Sequence, residues 1–274
     1  MSKDRGALTV EEQGIDTISE DERKGTPGSL FWPWFAANIS MFAMSYGAWA
    51  LGFGISLWQA TIMAIIGVVV SFLLVGVISI AGKRGNAPTM VLTRATFGVE
   101  GAKVPAALSW IATLGWEISL TTTAVLALSS TITKLGWGSG DAPKLISAIV
   151  VVGLVVVAGI FGYDLIMHCQ QVITIVTGVI TVGFFILGWG HIDFAAIGRI
   201  PSGSLPAMLG CCFFVMTGFG LGWVNIAADY SRYLPRKASN GGIVFWTTFG
   251  ASIANVFLIF YGLLPVSYTH LRAH

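Results

Sequence analysis

Charge is what this sequence has least of. Asp, Glu, Lys and Arg make up 10% of its 274 residues, against roughly a quarter in a soluble globular domain. That shortage excludes an ordinary water-soluble enzyme. Cysteine is scarce as well: Cys169 stands alone and Cys211 and Cys212 are adjacent, which gives neither zinc-site spacing nor a disulfide framework. Charge of one sign is nowhere concentrated. The 15 Lys and Arg against 13 Asp and Glu leave a net +2, and without a basic stripe to neutralise a phosphate backbone, nucleic acid is excluded as a partner. What abounds instead is apolar surface and glycine: 55% hydrophobic residues, 34 Gly and a mean hydropathy of +0.79 describe a chain solvated by lipid.

Residues 1–29 carry seven acidic and four basic side chains and no aromatic residue, and read as a disordered cytoplasmic tail. No apolar core precedes a small-residue cleavage site, so this is no secretory signal. From Phe31 onward seven stretches are long enough to span a bilayer, near 31–57, 59–81, 104–133, 145–162, 170–190, 205–228 and 243–264, since about 20 apolar residues at about 1.5 Å each match the hydrocarbon core. The fourth is rich in β-branched residues but reads as a helix, because in lipid only helices and closed barrels satisfy their own backbones. With the N-terminus inside, eleven Lys and Arg fall on the cytoplasmic side and four on the other; the positive-inside bias predicts that orientation in a multi-pass inner or plasma membrane protein.

Glu117 is the one ionisable side chain near the middle of a span, and an intramembrane carboxylate is a functional-site candidate unless it makes a structural helix–helix hydrogen bond. Trp116 precedes it. Trp32, Trp34, Trp58 and Trp189 fit the headgroup belt, but Trp116 lies near the midplane, where a stacking platform for a flat ligand is the sharper reading than core packing. The first span contains Gly47, Gly52 and Gly54, and the sixth contains Gly218, Gly220 and Gly222. Both helices read as breakable there, as in transporters whose inverted repeats expose unwound backbone to substrate and ions; close packing through small residues is the alternative. Asp229 and Arg232, three apart, can pair.

Trp34 to Ile39 with Gly52-Phe53-Gly54, the Leu114-Gly115-Trp116-Glu117 motif and the run from Ala228 to Pro235 resemble the nucleobase:cation symporter-1 family, most closely its purine-cytosine permease branch, over residues 30–265. The resemblance implies an all-α integral membrane protein of the leucine-transporter type, with about seven of an expected twelve transmembrane helices present: a first five-helix repeat over 30–190 and the start of a second over 191–265. It implies a symporter importing a nucleobase such as cytosine or a purine, coupled to Na⁺ or H⁺. Allantoin, hydantoin or amino-acid transport by the same fold is the alternative. By the same resemblance Trp116 stacks on the base, Glu117 accepts from its N–H groups, and Met41, Phe219, Gly220 and Gly222 complete the substrate wall. Backbone carbonyls at Ala37 and Ser40 fall near the family's cation site. Residues 266–274 match nothing expected, so a truncated, inactive fragment with a non-native tail is anticipated. Neither a cofactor nor an obligate protein partner is expected beyond the base, the ion and the bilayer. An embedded enzyme would need facing acidic and His clusters, and a channel a continuous polar path.

Overall fold

Along the charge-free second span, Ala60, Ala64, Gly67, Ser71, Val75, Ser79 and Gly82 recur every three or four residues and are all buried. Ile65, Leu73 and Val77 on the other side are exposed. One helix face is small and the other is greasy, which is how a membrane helix meets its neighbours without a hydrophobic driving force. The structure is a computed structural model and describes residues 14–161, 163–190, 192 and 200–272. Among these every regular element is an α-helix or a 3₁₀ turn: α1 Phe31–Asn38, α2 Met41–Leu51, α3 Leu57–Gly85, α4 Thr89–Leu92, α5 Arg94–Gly101, α6 Lys103–Lys134, α7 Ala142–Phe161, α8 Tyr163–Trp189, α9 Leu205–Gly218 and α10 Asn240–Arg272.

Six helical stretches are long and apolar enough to cross a membrane: α3, α6, α7, most of α8, α9 with its 3₁₀ continuation to Tyr233, and α10 to Leu264. The expected first span is present as two helices. It leaves the helix at Ile39 (φ −81°, ψ 75°) and Ser40, which is extended and caps α2 by accepting from the Phe42 N–H. The expectation that glycines 47–54 would make this break is therefore corrected. Gly47 is used for packing, and Gly54, at φ +67°, turns the chain after α2 has ended. The β-branched fourth span is helical, as α7.

Two compact units divide the chain, 1–14 with 93–168, and 15–92 with 169–274. In the first, α6 and α7 pack together through the turn at Gly136 and Gly140, both left-handed, and bury Ser129, Pro143 and Ser147. In the second, α10 lies along α3, α2 and α1, and α9 lies along α3. The first two spans thus pack against the sixth and seventh. Helix α3 begins in a capping box in which Ser56 and Gln59 exchange hydrogen bonds. Gln59 also reaches Gly203 N–H and C=O at 2.8 and 3.0 Å, just ahead of the Ser204 cap of α9.

The disordered-tail expectation is corrected for residues 15–26. Ile18 is buried and its N–H donates to Asn86 O at 3.0 Å. Arg23 Nη1 donates to the carbonyls of Lys83 and Leu234, while Glu20 pairs with Arg236. Burial pulls the Arg23 guanidinium below its ordinary pKa, and Glu20 opposes that shift. One of the charges that suggested a solvated tail, Arg23, instead reaches a carbonyl in the last turn of α3 that the helix cannot satisfy internally. Trp34 also departs from expectation: it is fully buried, edge-on to Phe72, Trp223 and Tyr230 at 5.7–6.4 Å, and is no headgroup anchor. The backbone of α10 stays helical through Arg272, across most of the segment read as a foreign tail. Residues 1–13, 162, 191, 193–199, 273 and 274 lie outside the described ones.

The tightest approach of a glycine to another backbone in the second unit is between α2 and α10. A methyl built on Gly262 would stand 2.0 Å from Met44 O, and one on Gly47 would stand 2.2 Å from Ile259 O. Backbone cannot rotate away as a side chain can. Gly262→Val is expected to destabilise by about 1–3 kcal/mol or more, read as a lower Tm in nanodiscs. Gly241→Ala, whose methyl meets only Ser239 Oγ at 3.9 Å, should change stability by no more than about 0.5 kcal/mol. Equal melting of the two variants would contradict the close approach.

Candidate functional site

Two interrupted helices define the site in the second unit. At the first interruption the carboxyl end of α1 meets the amino end of α2 around Ile39 and Ser40. The partial negative end of one helix dipole and the partial positive end of another therefore face the same gap, and such a gap can serve a cation and a substrate together. Ala37 is half-buried, Ser40 is exposed and Met41 is 41% exposed at the start of α2. The residues that could hold a cation here are the backbone carbonyls at Ala37 and Ser40, which are hard oxygen donors of the kind alkali cations take.

The second interruption follows α9. Phe219 adopts φ −116°, ψ −107°, and the chain continues as a 3₁₀ helix over Gly220–Ile226. Here the glycines do coincide with the break. Gly220 is pressed against α3, where a methyl would stand 2.3 Å from the Ser71 carbonyl carbon, and its N–H donates to Ser71 Oγ at 3.2 Å. Farther along, Ser79 Oγ donates to Ala227 O at 2.7 Å and Ser231 Oγ donates back to Ser79 O. Helix α3 thus supplies hydroxyl partners where the sixth span's own ladder fails, as buried backbone requires.

Tyr46 joins α2, the helix that follows the first interruption, to the second interruption. Its ring centroid lies 4.6 Å from that of Phe219 and 5.0 Å from that of Phe214, with Trp49 at 5.3 Å. Gly218 passes so close that a methyl on it would strike the Tyr46 ring. Of the expected wall residues, Phe219 is buried against Tyr46, Gly220 is buried against α3, and Gly222 and Met41 are exposed. Asp229 Oδ1 accepts from both the N–H and the hydroxyl of Thr89, at 2.8 and 2.7 Å, and so fastens the start of α4 to the end of the sixth span.

Trp116 and Glu117 lie in the first unit, both exposed on α6 and about midway along it. One turn later Ser119 and Thr123 satisfy their hydroxyls on the carbonyls of Gly115 and Ser119. The structure therefore brings Ala37, Ser40, Met41, Phe219, Gly220 and Gly222 into one compact unit and Trp116 with Glu117 into the other.

Reading the sequence singled out neither Tyr46, Ser71 nor Asn255. Asn255 of α10 is buried and donates to Asn38 Oδ1 at 2.7 Å, beside the first break. A usable signal existed, since a lone carboxamide or hydroxyl on the small-residue face of an apolar span is costly unless it bonds to a neighbour.

The profile of a family described as permeases for cytosine/purines, uracil, thiamine and allantoin matches residues 17–270. The match starts within the ordered N-terminal segment, not at the first span. YxlA of Bacillus subtilis (strain 168) is 29% identical over 94% of this chain and 54% of its own length. The purine-cytosine permease FCY21 of Saccharomyces cerevisiae (strain ATCC 204508 / S288c) is 28% identical over 96% of this chain and 49% of its own. The chain thus spans about half the length of the curated relatives it matches. Among solved structures, Mhp1, a nucleobase-cation-symport-1 family transporter in a closed conformation with bromovinylhydantoin bound, superposes with a TM-score of 0.67 at 20% identity, over 95% of this chain and 56% of that one. The fold is therefore of the leucine-transporter type.

If Ser71 supplies the partner for the break in the sixth span, Ser71→Ala leaves the Gly220 N–H buried and unsatisfied. It is expected to destabilise by about 1–3 kcal/mol and to speed exchange at Gly220 in hydrogen-exchange mass spectrometry. Unchanged protection there would remove Ser71 from this role.

Proposed function

We propose that this chain, which belongs to the family of permeases for cytosine/purines, uracil, thiamine and allantoin, forms part of a cation-coupled symporter that imports a nucleobase of the cytosine or purine type. The observation that carries the reading is the pair of interruptions in spans one and six, both within the second unit, with Tyr46 of α2 packed on Phe219 at the second. Interrupted helices at membrane depth persist only where they line a cavity or are buried in protein. Trp116 would stack on the flat base, and Glu117 would accept from its exocyclic amine and ring N–H, because a carboxylate offers only acceptors. Met41, Phe219, Gly220 and Gly222 would contribute the substrate wall, with the carbonyls of Ala37 and Ser40 at the ion. The coupling ion is Na⁺ or H⁺.

The test uses a chimera in which residues 17–270 replace the matched segment of full-length YxlA, reconstituted in proteoliposomes. Labelled cytosine uptake should saturate, depend on a Na⁺ or H⁺ gradient and be competed by adenine and hypoxanthine but not by allantoin. Competition by allantoin alone would move the substrate class to ureides. In the same chimera Trp116→Ala should weaken base binding by about 1–3 kcal/mol, the loss seen when a stacking aromatic is removed from under a base, and Trp116→Phe should retain part of it. An alanine variant that binds as tightly as the parent would make Trp116 a packing residue.

The orientation proposed from the distribution of Lys and Arg puts the N-terminus in the cytoplasm. A single cysteine at the exposed Lys237 should then react with an impermeant maleimide only from the cytoplasmic face, and one at the exposed Ser139 only from the outer face. The reverse pattern would invert the topology.

A further inference from the structure

Asn255 is the only carboxamide in the seventh span between residues 243 and 264, and it is 1% exposed. Its Nδ2 donates to Asn38 Oδ1 at 2.7 Å and to Ala251 O at 2.9 Å, while Asn38 Nδ2 donates to Trp34 O at 2.8 Å. Asn38 is the last residue of α1, and the chain leaves the helix at the next residue. A buried side-chain hydrogen bond therefore ties α10 to the first half of the broken span immediately before the break.

The second half is held differently. Helix α2 meets α10 through the backbones of Gly47 and Gly262, backbone against backbone. One helix thus splints both pieces, α1 by a directional polar bond added to the packing of Phe31 on Gly250, Trp246 and Phe249, and α2 by close backbone packing. The polar bond is a poor choice for cohesion. Asn255 Oδ1 and Trp34 Nε1 are buried with no partner among the described residues, and replacing both members of such a pair by apolar groups of similar shape is often neutral or stabilising. What a hydrogen bond adds that packing does not is a fixed position and orientation.

We propose that Asn255 is a positioning residue, which latches α1 to the seventh span and so sets where the backbone carbonyls at the first break stand. The latch is independent of what the protein carries. Its effect on ion dependence rests on the symporter reading above.

The experiment has two arms. In the first, the 274-residue chain in nanodiscs is followed by hydrogen-exchange mass spectrometry. Asn255→Leu should speed exchange of the amides from Phe35 to Ile39 by about tenfold and leave Met44 to Ala50 unchanged, because local opening is reported by the segment that opens. Asn38→Leu combined with Asn255→Leu removes both amides. It should recover the melting temperature lost in the single variant but keep the fast exchange. If the single variant does not accumulate, the double variant is read alone. Uniform acceleration, no acceleration, or protection that returns together with the melting temperature would each overturn the latch.

In the second arm, the chimera's cytosine uptake is measured against NaCl at fixed pH and against pH at fixed NaCl. Asn255→Leu should raise the half-activating concentration of the driving ion by about fivefold while the KM for cytosine at saturating ion stays within about twofold. Fast exchange with unchanged ion activation would overturn the positioning role. If the unsubstituted chimera takes up no cytosine, the symporter reading fails, and the exchange arm still decides the latch.

Discussion

A peptide group in hydrocarbon has no water to turn to, so each place where a membrane helix is interrupted must be answered by a neighbour. This chain is interrupted at Ile39–Ser40 and at Phe219, and much of the second unit can be understood as the answer. The second span supplies Ser71, Ser79 and a face of small residues to the sixth. The seventh span supplies Asn255 and Gly262 to the first. Each broken helix has an intact one beside it, α3 beside the sixth span and α10 beside the first.

The same constraint explains why α3 and α10 are unlike the helices of the first unit. Helix α3 buries a continuous small face, and α10 buries Ala251, Ala254, Leu258 and Ile259 together with Thr247, Ser252 and Asn255. By contrast α7 exposes Ile149, Leu154 and Val156, as a helix presented to acyl chains does. Buried packing is concentrated where the backbone is irregular. The aromatic cluster of Trp34, Phe72, Trp223 and Tyr230 fills the space under the first helix, and Tyr46 packs α2 against the break at Phe219.

Legibility in the sequence followed the strength of the local signal. Long apolar runs announced the spans from the second onward because hydrocarbon thickness leaves little choice of length. The break in the sixth span was legible because Gly218 and Gly220 are needed for close approach, to Tyr46 and α3, at the point where the ladder stops. The break in the first was not, because it lies between residues with side chains and is made by Ser40 capping the next helix, while the conspicuous Gly47 serves a contact with a segment more than two hundred residues away. Trp34 and the ordered N-terminal segment were misread for a related reason: an indole or an arginine looks like a surface residue until a distant partner is known. Trp116 and Glu117 stood out because a carboxylate in a membrane span is rare enough to need no partner to be noticed.

The bonds that close this unit join the beginning of the chain to its end. Arg23 meets the Leu234 carbonyl across 211 residues, and Asn38 meets Asn255 across 217. At about 5–20 residues per second, a ribosome takes about 10–40 s to make the stretch between them. Through that interval Asn38 and the interrupted backbone of the first span have been synthesised and their partner has not. Biogenesis therefore has an enforced order in which the first span cannot reach its final place until the seventh is made. Something other than the finished fold, whether insertion machinery or a waiting position in the interfacial region, has to shelter the first span in the meantime.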